Sequence, residues 1–121
     1  MTEDLANLIE RYVELWNEPD PEVRRRTIRE LWHPQGANYT ASMQAIGYDA
    51  LDARVTSAYD NYVGTGQYRF RAGLPAVEHH NAAKVQWEMV NLADDTVASV
   101  GLEFLVLDGG RIVSDHQFIV S

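Results

Sequence analysis

The chain has 121 residues, of which 45% are hydrophobic, and its 18 acidic and 10 basic residues give a net charge of −8. This length suits one domain over residues 1–121, which would bury roughly two-thirds of the surface of its unfolded chain. The acidic charge argues against a nucleic-acid partner, because backbone binding needs a basic surface. The chain has no cysteine, which excludes a disulfide framework, a thiolate metal site and a cysteine nucleophile.

The first residues show no signal-peptide pattern, and no apolar run has the length of a membrane span. An acidic charge of this size also favours solubility. We therefore expect a cytoplasmic protein with no membrane partner.

Helical spacing predicts two helices before residue 35. Thr2 suits the N-cap of the first, which stops before Pro19 and has an apolar face made of Leu5, Leu8, Ile9, Tyr12, Val13 and Trp16. Asp20 and Pro21 suit the N-cap and first position of the second, which ends at His33-Pro34. Its buried stripe is predicted as Thr27, Ile28, Leu31 and Trp32, and Arg24–Arg26 favour a solvated face over an anion site.

Strands dominate the rest of the chain. A short strand at residues 38–40 precedes a third helix, which begins after Gly47, ends at residues 64–66 and has one face made of Tyr48, Leu51, Val55, Tyr59 and Tyr62. Further strands are predicted at residues 67–72, 75–80 and 83–92.

A hairpin over residues 97–120, with its turn at residues 108–111, closes the chain. Its first strand is apolar at nearly every position, which is typical of a strand buried on both faces. Its second strand is interrupted by four polar residues, 114–117. Buried polar groups are costly unless they are paired or line a wet cavity, so this interruption indicates a site.

Three helices followed by a run of strands indicate an α+β domain. We expect a curved, mostly antiparallel sheet that wraps like a cone around the three N-terminal helices. The space between sheet and helices would enclose a ligand pocket.

This order of elements resembles the nuclear transport factor 2-like superfamily, and within it the SnoaL-like polyketide cyclases and the ketosteroid isomerases. Residues 11–17, Arg-Tyr-Val-Glu-Leu-Trp-Asn, resemble the first helix of the isomerases, and residues 31–34 resemble the end of the family's second helix. Residues 46–51 are similar to its glycine-led entry into helix three, and residues 110–113 to its final hairpin. The resemblance implies the fold more strongly than the reaction.

The resemblance also implies roles for single residues. In the isomerases a helix-one tyrosine and a protonated aspartate stabilise an oxyanion while a second aspartate moves the proton. Tyr12 matches the tyrosine, but the base would fall near Tyr39 or Thr40, where there is no carboxylate. The oxyanion aspartate would fall near Leu102, and the adjacent Glu103 is expected to point away. Ketosteroid isomerase activity is therefore not expected, nor is the arginine-bridged aspartate pair of the epoxide hydrolases present.

Asp115 is the strongest candidate for acid–base chemistry, and the resemblance implies that it and Gln117 face the cavity. An apolar wall would raise the pKa of the Asp115 carboxyl group towards neutrality. The alternative is a solvated Asp115, or one paired with Arg111. His116 should point to the opposite, outer face.

One of the adjacent residues His79 and His80 should face inward, and His80 is included in the pocket because it could relay a proton with Asp115. A hydrogen-bonded structural histidine is the alternative. No metal site is expected, because neighbouring residues of one strand cannot both reach one ion and there is no cysteine.

Aromatic side chains complete the predicted pocket, with core packing as the alternative for each: Trp16, Trp32, Tyr39, Tyr59 and Trp87. Glu88 and Glu103 are expected on the exposed or dimer-facing side of the sheet.

The resemblance, together with the polar residues of the last strand, implies a pocket protein without a cofactor that cyclises or isomerises a small, largely apolar carbonyl compound by proton transfer. Asp115 would be the acid or base, Tyr12 the oxyanion donor and Gln117 a positioning group. The alternative is a non-catalytic binding or assembly domain with the same fold. The resemblance also implies a homodimer formed through the outer face of the sheet.

Overall fold

Three helices and seven strands make up the part of the chain that the computed structural model describes, residues 3–121. The helices are α1 (Glu3–Leu15), α2 (Pro21–Leu31) and α3 (Tyr48–Ala58), and α3 continues as a π-helical turn over Tyr59–Val63. The strands are β1 (Trp32–Tyr39), β2 (Gln44–Ile46), β3 (Tyr68–Ala72), β4 (Val77–His79), β5 (Ala82–Asn91), β6 (Val97–Asp108) and β7 (Arg111–Ile119). The N-cap predicted at Thr2 lies outside the described residues.

The start of α2 confirms the predicted capping. Asp20 has extended backbone angles, its side chain accepts a hydrogen bond from the Glu22 amide at 2.9 Å, and Pro21 occupies the first turn. The helix ends at Leu31, and β1 begins at once with Trp32. The strand predicted at residues 38–40 is thus the end of a longer one, and β2 was not predicted.

The seven strands form one sheet in the order β2-β1-β7-β6-β5-β3, and β4 pairs with the other end of β5. All pairs are antiparallel except β1 with β7, which is parallel. This parallel pair places Asn38 beside Asp115 and Tyr39 beside His116. The curved, unclosed sheet and the helices match the predicted α+β cone.

The closing hairpin forms as predicted. Gly109 and Gly110 both have positive φ angles, +60° and +79°, which a tight two-residue turn requires. The pairing then shifts by one residue, because Leu107 pairs with Ile112 whereas Val106 pairs with Ser114. Val113 is therefore the extra residue of a β-bulge.

The helices pack on one face of the sheet, which we call the inner face. The core joins the helix residues Ile9, Val13, Ile28, Leu31, Leu51 and Val55 to the sheet residues Val85, Leu105 and Ile112. The outer face stays open, so the prediction that β6 is buried on both faces was wrong. Phe104 and Phe118 are 41% and 55% exposed there, and their rings meet edge to face. The homodimer implied by the resemblance stays a prediction, and this apolar outer face is where it would form.

Arg24 corrects the expectation that residues 24–26 form a solvated face. Its side chain is buried, donates from Nη1 to the Glu18 carbonyl at 2.7 Å and lies over the Tyr59 ring at 4.9 Å. Arg24 thereby holds the loop between α1 and α2 against the end of α3.

Gly36 gives a test of the close packing at the start of β1. A Cβ atom at this position would lie 2.7 Å from the Ile112 carbonyl oxygen and 2.8 Å from the Trp32 ring. We expect Gly36→Ala to lower the free energy of unfolding by about 1–3 kcal/mol in urea titrations, because backbone and a buried indole must move. Gly73→Ala is the matched control, since only the flexible Gln86 side chain approaches it, at 3.0 Å. Equal effects of the two substitutions would contradict the steric explanation.

Candidate functional site

A cavity of about 730 Å³ lies between α1, α3 and the inner face of the sheet. This volume is in the range of small-molecule sites. Five of the residues predicted for the site line it: Tyr12, Trp16, Tyr39, Trp87 and Gln117. Arg54, Glu103 and His116 also contribute to the wall.

Asp115 was predicted to face the cavity, but it is fully buried and meets the cavity only through its contact with Tyr12. Three predicted pocket residues lie elsewhere. Trp32 is fully buried in the core behind Tyr12, with ring centroids 5.7 Å apart. Tyr59, at the start of the π-helical turn after α3, packs against Arg24. His80 is exposed in the turn between β4 and β5, where its φ angle is +48°, so it does not face the cavity. The proposed relay from His80 to Asp115 is therefore absent.

Tyr12 is the centre of the polar part of the site. It belongs to the buried face of α1, is 2% exposed and lies between two carboxyl groups from neighbouring strands. Its Oη atom is 2.6 Å from Asp115 Oδ2 and 2.9 Å from Glu103 Oε1. Both carboxyl groups are buried, at 0% and 1% exposure respectively.

Glu103 is the residue that sequence reasoning placed on the wrong face. The comparison with the isomerases set Leu102 towards the cavity and so turned the adjacent Glu103 outward, but Glu103 lies two residues before the buried Leu105 on β6 and shares its face. The bulge at Val113 shifts the register, so that Asp115 pairs with Leu105 and Glu103 with Gln117. Side chains alternate along a strand, and a shift of one residue moves a whole strand to the other face. Asp115 therefore points inward with Glu103.

The hydrogen-bond donors determine where the protons are. Tyr12 carries one hydroxyl proton and can donate to only one carboxyl group, so its other short contact needs a proton on a carboxyl oxygen. Glu103 Oε2 accepts from Trp87 Nε1 at 2.9 Å, which leaves Oε1 as the protonated oxygen. Glu103 therefore donates to Tyr12, and Tyr12 donates to Asp115.

Burial is the main reason why this set holds its protons. Desolvation, followed by the nearby charge of Asp115, raises the pKa of Glu103 to about 10. Desolvation also raises the pKa of Tyr12 well above its ordinary value, and the charges of Asp115 and Glu103 add to this effect. The neutral acid Glu103 and the phenol Tyr12 are thus both proton donors at neutral pH.

Asp115 carries the negative charge of the set. Desolvation raises the pKa of its carboxyl group, but the neighbouring acid Glu103, hydrogen bonds from Tyr12 and Asn38 and the positive charge of Arg54 oppose this rise. Asn38 Nδ2 donates to Asp115 Oδ2 at 2.9 Å. Asp115 Oδ1 is buried with no hydrogen-bond partner among the described residues. Because Asp115 has more donors than Glu103 and faces a cation, it loses its proton first.

Arg54 extends the network to the cavity. Its Nε donates to Asn38 Oδ1 at 3.2 Å, its Nη2 lies 3.5 Å from Gln117 Oε1, and its guanidinium lies over the Trp16 ring at 5.1 Å. Neither Arg54 nor Asn38 was predicted as a site residue. Arg54 is one turn of α3 after the buried Leu51, so its helical face could have been read from the sequence.

The rim of the cavity holds Tyr39 and His116, whose rings stack at 4.8 Å and 25°. They are neighbours in the parallel pair of β1 and β7. The wall also includes residues 40–43 of the turn before β2.

Within residues 3–121, no group of three or more histidine, aspartate and glutamate side chains could hold a metal ion. No helix in the same residues is both long and apolar enough to cross a membrane.

Solved structures show which fold this is. No protein-family model and no curated protein matches the chain. A SnoaL-like family protein from Agrobacterium tumefaciens str. C58, provisionally described as an isomerase, matches with a TM-score of 0.88 and 23% identity, covering 99% of this chain and 100% of that one. A protein from Jannaschia sp. CCS1, provisionally described as a SnoaL-like polyketide cyclase, matches with a TM-score of 0.72 and 11% identity over 98% and 89%.

A third match is a hypothetical protein with a ketosteroid isomerase-like fold from Catenulispora acidiphila DSM 44928, solved in complex with trimethylamine. Its TM-score is 0.67 and its identity 10%, over 98% of this chain and 86% of that one. The chain has the nuclear transport factor 2-like fold. The resemblance read from the sequence is thereby confirmed at the level of the fold, and the activity is a separate question.

Glu103→Gln tests the protonation of Glu103. The pKa of Glu103 in the folded protein, about 10, lies above its ordinary 4.5, so the folded state holds an extra proton between these values. The free energy of unfolding then falls as pH rises through this window, by up to about 1.4 kcal/mol per pH unit for one such group. Glutamine can donate to Tyr12 and accept from Trp87 without titrating. We expect the variant to gain stability relative to wild type from about pH 5 to about pH 9 in urea titrations.

Glu88→Gln, which removes a carboxylate from the outer face and from its ion pair with Arg71, is the control for this experiment. The free energy of unfolding of Glu88→Gln should depend on pH with the same slope as that of the wild-type protein. A constant offset between Glu103→Gln and wild type at every pH would show that Glu103 is ionised in the folded protein.

Gly101→Ala tests the contact that holds Trp87, the donor to Glu103, in place. Gly101 has no side chain, so the Trp87 indole can lie against β6. A Cβ atom there would lie 2.1 Å from the indole, so Gly101→Ala must displace the donor to Glu103. We expect a loss of about 1–3 kcal/mol in the free energy of unfolding and a red shift in tryptophan fluorescence. In a Trp87→Leu background the same substitution should cost much less. An undiminished cost in that background would refute the clash with Trp87.

Proposed function

We propose that this protein is an enzyme without a cofactor that isomerises or cyclises a small carbonyl compound by moving protons. The observation that carries the proposal is the buried series Glu103, Tyr12 and Asp115, two members of which face the cavity. The series holds two protons that can be donated and one negative charge, which acid–base catalysis on a carbonyl compound requires. The structural neighbours provisionally described as an isomerase and a polyketide cyclase support this reaction class.

The negative charge can move along the series during the reaction. Glu103 donates its proton to the carbonyl oxygen while Tyr12 takes a proton from the adjacent carbon and passes its own to Asp115. The substrate becomes an enol, Glu103 becomes the carboxylate and Asp115 becomes neutral, so the total charge of the site is unchanged. The reverse transfers at another carbon atom complete an isomerisation. This route gives Asp115 an acid–base role through Tyr12, although Asp115 itself does not line the cavity.

The surroundings suit this chemistry. Aromatic side chains form much of the wall, and a water-poor site strengthens every charge interaction in it. Trp87 holds the oxygen of Glu103 that does not react, and Asn38 holds Asp115. Gln117, on the wall beside Arg54, would orient the substrate.

A non-catalytic small-molecule-binding domain is the second candidate. It is favoured by the complete burial of Asp115 and by the mutual hydrogen bonds of the series, which leave no strong base exposed to a ligand. In that case the series would serve stability alone.

Exchange of carbon-bound hydrogen for deuterium separates the two candidates. We expect the wild-type protein to accelerate exchange next to the carbonyl group of cyclohexanone or indanone in deuterated buffer, measured by NMR. Tyr12→Phe, Glu103→Gln and Asp115→Asn should each slow this catalysed exchange by roughly a hundredfold or more. Glu88→Gln, outside the cavity, should keep the wild-type rate. Ketones that bind, by tryptophan fluorescence, but exchange at the buffer rate would support the binding domain instead.

A further inference from the structure

Arg54 differs from the ion-paired arginines of this chain in its surroundings. Arg11, Arg25, Arg29, Arg69 and Arg71 each have a carboxylate within 4.0 Å. Among the described residues no carboxylate lies that close to Arg54, although its side chain is only partly exposed and lines the cavity. A guanidinium on a cavity wall without a carboxylate partner is suited to bind an anion from the ligand.

The donor geometry supports this reading. A guanidinium has five N–H donors, and Arg54 directs one to Asn38 and one, at 3.5 Å, to Gln117, which leaves three without a partner in the described part of the chain. The free donors are on the two terminal nitrogens, the pair that binds a carboxylate with two parallel hydrogen bonds. The ring of Trp16 beneath the guanidinium and the bond to Asn38 fix its plane, so little entropy is lost when a ligand binds.

The position of Arg54 relative to the series Glu103, Tyr12 and Asp115 constrains the ligand. Asn38 and Asp115 connect Arg54 to Tyr12 through three successive hydrogen bonds of 3.2, 2.9 and 2.6 Å. Arg54 and Tyr12 thus lie at the two ends of this path, so a ligand that meets both would carry its anionic group and its carbonyl group on different carbon atoms. A cation at this place also suits a protein with net charge −8, whose overall field would otherwise repel an anion.

We propose that the ligand of this cavity is an oxo acid, whose carboxylate binds Arg54 and whose carbonyl group meets Glu103 and Tyr12. The inference rests on the proposed function of the cavity and changes the ligand class from a largely apolar compound to an anionic one. Arg54 then determines specificity and orientation, and takes no part in the proton transfers.

Binding of para-acetylbenzoate tests this inference against its neutral amide, para-acetylbenzamide, by calorimetry. We expect the wild-type protein to bind the carboxylate at least roughly tenfold more tightly than the amide, and the corresponding amine, para-acetylbenzylamine, most weakly. Arg54→Gln should weaken carboxylate binding by roughly ten- to a hundredfold and amide binding by less than about threefold. Arg26→Gln makes the same change in net charge at an exposed site and should alter neither.

Several outcomes would overturn the inference. They are equal affinity of the wild-type protein for carboxylate and amide, no binding of the carboxylate, or an equal loss for both ligands in Arg54→Gln. The comparison of carboxylate and amide binding by the wild-type protein decides the question even if Arg54→Gln does not fold. Arg54→Lys is a second variant, which keeps the positive charge but cannot form the two parallel hydrogen bonds of a guanidinium with a carboxylate. Lysine should recover only part of the carboxylate preference.

Deuterium exchange on para-acetylbenzoate and para-acetylbenzamide separates this inference from the proposed function. A carboxylate preference that depends on Arg54, without catalysed exchange, would refute the enzyme and keep the anion site. Catalysed exchange on both ketones with no preference for the carboxylate would refute the anion site and keep the enzyme.

Discussion

The burial of three ionisable side chains in one hydrogen-bonded series is the constraint on which the rest of this site depends. A lone carboxyl group in an apolar core costs several kcal/mol when charged. Here Glu103 avoids that cost by staying protonated, and Asp115 offsets it with donors from Tyr12 and Asn38. Each member therefore needs the others, and removal of one changes the protonation of the rest.

The series joins parts of the chain that are far apart in sequence. Tyr12 is on the first helix, Asn38 on the first strand and Glu103 and Asp115 on the last hairpin. The parallel pairing of β1 with β7 brings Asn38 to Asp115, and the packing of α1 on the inner face brings Tyr12 to both carboxyl groups. Stability and proton chemistry thus share the same contacts, so substitutions at the site should affect both.

Local signals in the sequence predicted most of the fold. The Asp20-Pro21 cap and the glycines of the last turn have fixed conformational preferences, and the structure confirms both elements. The site was harder to predict, because it depends on register. Glu103 was placed outward because the family resemblance set its neighbour Leu102 towards the cavity, and Trp32 was placed in the pocket since an aromatic residue of the core and one of a cavity wall look alike.

The single extra residue at Val113 has a consequence for how such sites arise. Glu103 shares the inner face with Leu105 because the two residues alternate along β6, and the register of β7 does not change this. Ile112 and Asp115 have a spacing that puts two residues on opposite faces of a regular strand, and the bulge between them is what lets both lie on the inner face. A carboxylate of β7 can therefore be brought to a buried acid of β6 by a local change of the backbone, with no change in the acidic residues themselves.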